Sequence, residues 1–175
     1  MVLKKRERIL KESVPTAATY APAYGGGYHR EGCVVLADDQ YKIKVQRVPD
    51  SDSDPSCCRK TVLGPTYGEP PSILKVLPGG EYMLYATPSK VVGLVRLPPD
   101  GNPARCIGMV AHPGEVTDCA LGVLDTEGTL AVVTTGGGDD SMMVWSLNLE
   151  AAQAVEALGG SGMEPFFNLL AGGAH

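Results

Sequence analysis

No apolar run in this sequence approaches the ~20 residues that a membrane-spanning helix requires. The first residues, Met-Val-Leu-Lys-Lys-Arg-Glu-Arg, are charged and lack the apolar stretch of a secretory signal. Positive charge is also short. Lys and Arg number 15 against 20 Asp and Glu, a formal net charge of −5, so nothing points to nucleic acid as a partner. The five cysteines are odd in number, Cys57 and Cys58 are adjacent, and no paired framework is visible. That pattern fits a reducing compartment better than a disulfide scaffold. Long uninterrupted segments are missing too. The 22 glycines and 14 prolines punctuate the chain every few residues, which favours short strands over long helices. What is present is enough apolar content, 43%, for a real core in about one domain.

The strand candidates recur. Glu31 to Val48 reads EGCVVLADDQYKIKVQRV, and Gly80 to Leu97 reads GEYMLYATPSKVVGLVRL. Each has an apolar run, a short polar turn and a second β-prone run. Thr129 to Leu147, TLAVVTTGGGDDSMMVWSL, is a third copy. Aligned on the second run, Val45, Leu94 and Trp145 are equivalent, with roughly 50 residues between successive copies, near the period of propeller blades. Further short strands are expected at Arg59 to Leu63, Ile73 to Leu77, Ala104 to Val110 and Val116 to Leu121. Each unit then holds four strands, and the alternative is one irregular β-sandwich. The strand near Arg59 should complete a blade that begins before Cys33, and the strand near Ala104 should complete the second. No fourth strand is expected after Leu147; a far N-terminal strand should supply it. Since propellers typically need about 4 to 8 blades to close, three blades read as the C-terminal part of a larger ring or as a truncated gene product.

The third unit carries a sharper pattern, similar to that of WD-repeat blades. Those blades place a His before the innermost strand, a Ser or Thr in the next strand, an Asp in the following turn and a Trp beyond it. His112, Thr135, Asp139 and Trp145 have suitable intervals for such a relay. The residue types are demanded by the chemistry: the carboxylate fixes one imidazole tautomer, the hydroxyl bridges, and the indole N–H can only donate. A catalytic His–Asp pair is the poorer reading, because no Ser or Cys in an elbow-like context accompanies it. The earlier units are degenerate. Asp39 fits the turn position, but Val45 and Leu94 stand in place of tryptophan, and Ser146 follows Trp145 where Asp would be usual.

After the repeats, Asn148 can cap a helix, the Ala-rich run to Leu158 favours one, and Gly159-Gly160 stops it. Pro165 then opens a second expected helix with Phe166, Phe167, Leu169 and Leu170, a segment that either packs on a propeller rim or docks a partner. The expected organisation is blades over 1–147 and a helical extension over 148–175. Two weaker motifs read as solvated segments. Asp50 to Asp54 mimics half an EF-hand loop, but Pro55 stands where glycine is needed and Thr61 where a bidentate Glu is needed. Ser51 or Ser53 there could accept phosphate. Lys4 to Arg8 could touch an acidic surface such as a tubulin tail.

The segments CRKTVLGPTYGEP, DGNPARCIGMVAHPGEV, MMVWSLNLEAAQAVEALGG and PFFNLLAGG resemble the last WD repeats of the cilia- and flagella-associated protein 251 family. The resemblance covers most of Cys58 to Gly173. It implies an all-β fold, a partial WD-repeat propeller followed by short helices. It further implies a non-enzymatic axonemal scaffold in the cytoskeleton of the cilium or flagellum. That scaffold belongs to the calmodulin- and spoke-associated complex at the base of the third radial spoke, linking spoke to doublet microtubule and supporting dynein-driven beating. Implied partners are the other subunits of that complex, calmodulin among them, radial spoke proteins and the doublet, with no nucleic acid, membrane, cofactor or metal. The family carries an EF-hand-like region beyond the point where these 175 residues stop. Two other readings stand beside it: a cytosolic WD-repeat adaptor such as a substrate receptor of a ubiquitin ligase, and a small β-rich hydrolase.

Overall fold

The computed structural model describes residues 13–22, 32–47, 60–63, 69–97, 106–126, 129–138, 140–150 and 167–174. These residues form twelve strands in three antiparallel four-stranded sheets, each a simple meander. The first sheet runs β1 (Pro15–Ala21), β2 (Cys33–Asp38), β3 (Lys42–Arg47) and β4 (Lys60–Leu63). The second runs β5 (Ile73–Val76), β6 (Tyr82–Ala86), β7 (Val91–Arg96) and β8 (Cys106–Val110). The third runs β9 (Val116–Val123), β10 (Leu130–Gly136), β11 (Ser141–Leu147) and β12 (Phe167–Ala174).

The repeat alignment is visible in the register. Val45 lies opposite Val35, Leu94 opposite Leu84, and Trp145 opposite Val132, so the three positions occupy the same place in three sheets. The β4 and β8 strands complete the first two sheets near the expected positions. The first sheet begins before Cys33, as expected, at β1, a position the sequence does not mark; Thr16, Thr19 and Tyr20 are its β-prone residues.

The third sheet corrects two expectations. Its fourth strand is β12, which pairs along the whole of β11 from Ser141↔Ala174 to Leu147↔Phe167. The strand therefore comes from the residues after Leu147 and not from a far N-terminal segment. For the same reason Phe167, Leu169 and Leu170 lie on a strand and not on a second helix, and a boundary at 147/148 cuts through one sheet. Leu-Leu followed by small residues suits an edge strand as well as a helix, and pairing with β11 decides between them. Of the helix expected from the Asn148 cap to Leu158, Leu149 and Glu150 are helical, and residues 151–158 lie outside the described residues, as does Phe166.

The sheets stack face to face, with the first strands β1, β5 and β9 as neighbours. Period-2 alternation sends successive side chains of β6 to opposite faces. Met83 and Tyr85 join a cluster with Cys33, Val35, Ala37 and Ile43 of the first sheet. Tyr82, Leu84 and Ala86 join one with Val116, Cys119, Val132, Trp145 and Leu147 of the third. Every residue of β6 is buried, as a strand covered on both faces must be. Among the described residues, the first and third sheets each pack on one face only.

Candidate functional site

His112 lies in the connection between the second and third sheets, and Ala111 before it is anchored by its N–H to the carbonyl of Lys90 at 2.8 Å. Its imidazole is 1% exposed and points into the third sheet. Nε2 is 2.8 Å from Thr134 Oγ1, and Nδ1 is 2.9 Å from Ser141 Oγ. The Trp145 indole Nε1–H donates to the same Thr134 oxygen at 3.0 Å. One hydroxyl thus joins imidazole and indole. With the indole donating, Thr134 can pass its own proton to His112 Nε2, which leaves His112 Nδ1–H to donate to Ser141; the other tautomer reverses both bonds. The first arrangement gives the Thr134 hydroxyl both a donor and an acceptor, as a low-dielectric site requires, whereas the second leaves its proton without an acceptor in this chain.

Two of the four expected relay residues, His112 and Trp145, meet there. Thr135 does not. It sits on the opposite face of β10, half-buried, with Oγ1 2.9 Å from Thr117 Oγ1. Alternation explains the shift by one residue: Trp145 lies opposite Val132, and Thr134 is the next residue on that face. Asp139 lies outside the described residues, and Ser141 is the group that holds His112 Nδ1. The corresponding positions in the other sheets are Ala37 and Ala86, both fully buried, so no hydroxyl bridge forms in either.

The first sheet uses a different device at its β2–β3 turn. Asp38, fully buried, accepts from the backbone N–H groups of Gln40 and Lys42, both at 3.0 Å, and from Ser13 Oγ at 2.9 Å. Asp39, which the sequence favoured for the turn position, is exposed and accepts from Val14 N at 2.9 Å. Thr87, in the same place in the second sheet, accepts weakly from Val91 N at 3.4 Å.

Two thiols are buried in the sheet interfaces. Burial pushes Cys33 up from the ordinary thiol value. Burial likewise pushes Cys119 up to about 11, against a partial opposing effect of the Lys75 charge and with a further small rise from Asp118. Neither thiol has the lowered pKa of an activated nucleophile. Among the described residues no group of three or more His, Cys, Asp or Glu could hold a metal ion, and no helix is long and apolar enough to cross a membrane. The acidic run Asp50 to Asp54 and the basic run Lys4 to Arg8 lie outside the described residues.

Two grooves open at the end of the molecule where β1, β5 and β9 finish. One, about 480 Å³, is lined by Tyr20, Pro22, Lys75, Pro78 and Leu121 among others. The other, about 410 Å³, lies between Thr129–Leu130 and Ser146–Glu150. Neither is lined by His112, Thr134 or Ser141.

No family model matches the chain. Curated proteins do. The chain is 36% identical over 151 residues to cilia- and flagella-associated protein 251 of Mus musculus, covering 82% of this chain and 11% of that protein. It is 30% identical over 179 residues to the protein of the same name from Tetrahymena thermophila, covering 98% of this chain and 17% of that one. The Pongo abelii protein of that name is 35% identical over 151 residues, covering 82% of this chain and 12% of its own length. The chain belongs to the cilia- and flagella-associated protein 251 family. It spans between about a tenth and a sixth of the length of these relatives, and the match to the Tetrahymena protein takes in nearly all three sheets. Members of the family are named for association with cilia and flagella.

Proposed function

We propose that the three sheets are consecutive blades of a WD-repeat β-propeller, completed by further blades in the longer protein. We propose further that this propeller is a non-enzymatic scaffold in the axoneme at the base of the third radial spoke. The observation that carries the propeller reading is the stacking. Three sequential four-stranded meanders lie face to face with their first strands adjacent, and the middle one is buried on both faces. The His112–Thr134–Trp145 chain supports it as the internal brace of one blade. The family relationship supports the cilium. A structural role for His112 fits its surroundings: it is sealed in the core, away from both grooves, and its Nδ1 meets the Ser141 hydroxyl where a catalytic triad would place a carboxylate.

In this reading the partners are the other subunits of the calmodulin- and spoke-associated complex, the spoke itself and the doublet microtubule. The chain would act by holding surfaces in register as the doublets slide. A density tag placed on the full-length protein and located by tomography of detergent-washed axonemes tests it. Extra density at the base of the third spoke is expected. A tagged protein that washes out with the soluble fraction, or that maps elsewhere on the doublet, overturns the assignment.

A further inference from the structure

The groove below Lys75 has features that the scaffold reading does not use. β1, β5 and β9 are the edge strands of their sheets, and the groove forms where they end, so backbone groups border it from more than one side. Its walls are apolar: Tyr20, 54% exposed, Pro22, Pro78 and Leu121. Beyond Leu121 the same strand leads on to Val123 and Leu124, which are 60% and 46% exposed. Lys75 is the one charged residue of the lining, and it is exposed. A lone cation in an apolar cleft of an otherwise acidic chain selects by charge as well as by shape. The volume falls in the range of pre-formed binding clefts, about 300–1,000 Å³. The Tyr20 wall is built in. Gly32 has a φ of +75°, and a methyl group there would meet Tyr20 Cζ at 2.9 Å, so the phenol lies against bare backbone.

We infer that this groove binds an extended segment of a partner protein that presents a carboxylate to Lys75 and aliphatic side chains to Tyr20, Pro78 and Leu121. The inference stands on the groove alone and goes beyond the location proposed above.

Fluorescence anisotropy with labelled twelve-residue peptides tests it on the full chain. The probes are a repeating Glu-Val peptide, a Gln-Val peptide without charge and a Glu-Gly peptide without aliphatic side chains. The Glu-Val peptide should bind most tightly. Lys75→Glu should weaken it by about tenfold or more, and Lys75→Arg should keep it within about threefold. Tyr20→Ala should weaken the Glu-Val and Gln-Val peptides alike. Thermal melts of each variant identify any loss that comes from unfolding, and Lys75→Arg serves as the folded reference. Equal binding of Glu-Gly and Glu-Val, displacement of the peptide by inorganic phosphate, or indifference to Lys75→Glu overturns the inference. So does self-association of the chain that Lys75→Glu abolishes, since a second copy would then be the occupant.

Discussion

At the scale of single residues, Thr134 does what its neighbour Thr135 cannot. Its hydroxyl serves both the imidazole and the indole, while Thr135 faces outward to Thr117. Thr134→Ala should therefore strand two buried donors or acceptors and lower stability by about 1–3 kcal/mol. Thr135→Ala should change it by no more than about 0.5 kcal/mol. Trp145→Ala adds a cavity and should cost roughly 3–5 kcal/mol. Denaturant melts of the three variants check the order; equal effects at 134 and 135 would contradict the geometry. Cys119 gives a prediction in pH. Its folded pKa is raised from 9.0 to about 11, so the thiolate is disfavoured by folding. The stability from keeping the thiol neutral is fully present below about pH 9 and is lost as pH rises through 11. The loss is on the order of 2–3 kcal/mol at most, about 1.4 per pKa unit. Cys119→Ala should flatten the stability profile between pH 9 and 11, measured against the wild-type curve. The sequence made His112 and Trp145 legible because each is rare and each has one chemical use. The hydroxyl was misplaced by one because Leu130 to Val133 are all apolar, so alternation does not reveal which threonine faces inward. Only pairing of Trp145 with Val132 fixes that parity.

At the scale of elements, turns and edges decide more than strand interiors do. The paired apolar runs were plain in the sequence because three copies repeat with the same order of run, turn and run. β1 was not, since Pro15 to Ala21 carries three alanines and little apolar contrast. β12 was read as helix because its Leu-Leu core serves either period and its partner strand is twenty residues away in sequence. That pairing now has a consequence. Truncation after residue 166 should remove β12 and leave β11 with an open row of backbone groups along Ser141 to Leu147. Hydrogen exchange should then quicken along β11, and the truncated protein should aggregate sooner on warming. Unchanged protection of β11 amides would show that β12 does not hold the sheet. The β2–β3 turn offers a second check of turn chemistry. Asp38→Ala leaves two backbone N–H groups without their acceptor and should lower stability by about 1–3 kcal/mol, whereas Asp39→Ala, at an exposed site, should be nearly silent.

For the whole molecule, the asymmetry between the middle sheet and the outer two governs behaviour. The second sheet has both faces covered; among the described residues the first and third each have one face open. The open face of the third sheet carries Met142, 43% exposed, beside half-buried Val133 and Val144. That of the first carries half-buried Val34 and Leu36. Contiguous apolar faces of this kind are association surfaces unless another layer covers them. In a longer propeller, the adjoining blades would cover them. The same substitution should then have opposite effects in two settings. In the 175-residue chain alone, Met142→Glu adds charge to an open apolar face and should reduce self-association, read by light scattering across a concentration series. In the longer protein it would place an unpaired carboxylate between two blades, at a cost of several kcal/mol unless the group is neutralised. The melting temperature should fall there, and fall more at pH 8 than at pH 5, because a protonated Glu is cheaper to bury than an ionised one. If Met142→Glu leaves the longer protein's melting temperature unchanged at both pH values, no blade covers the third sheet, and the stack of three ends at that face.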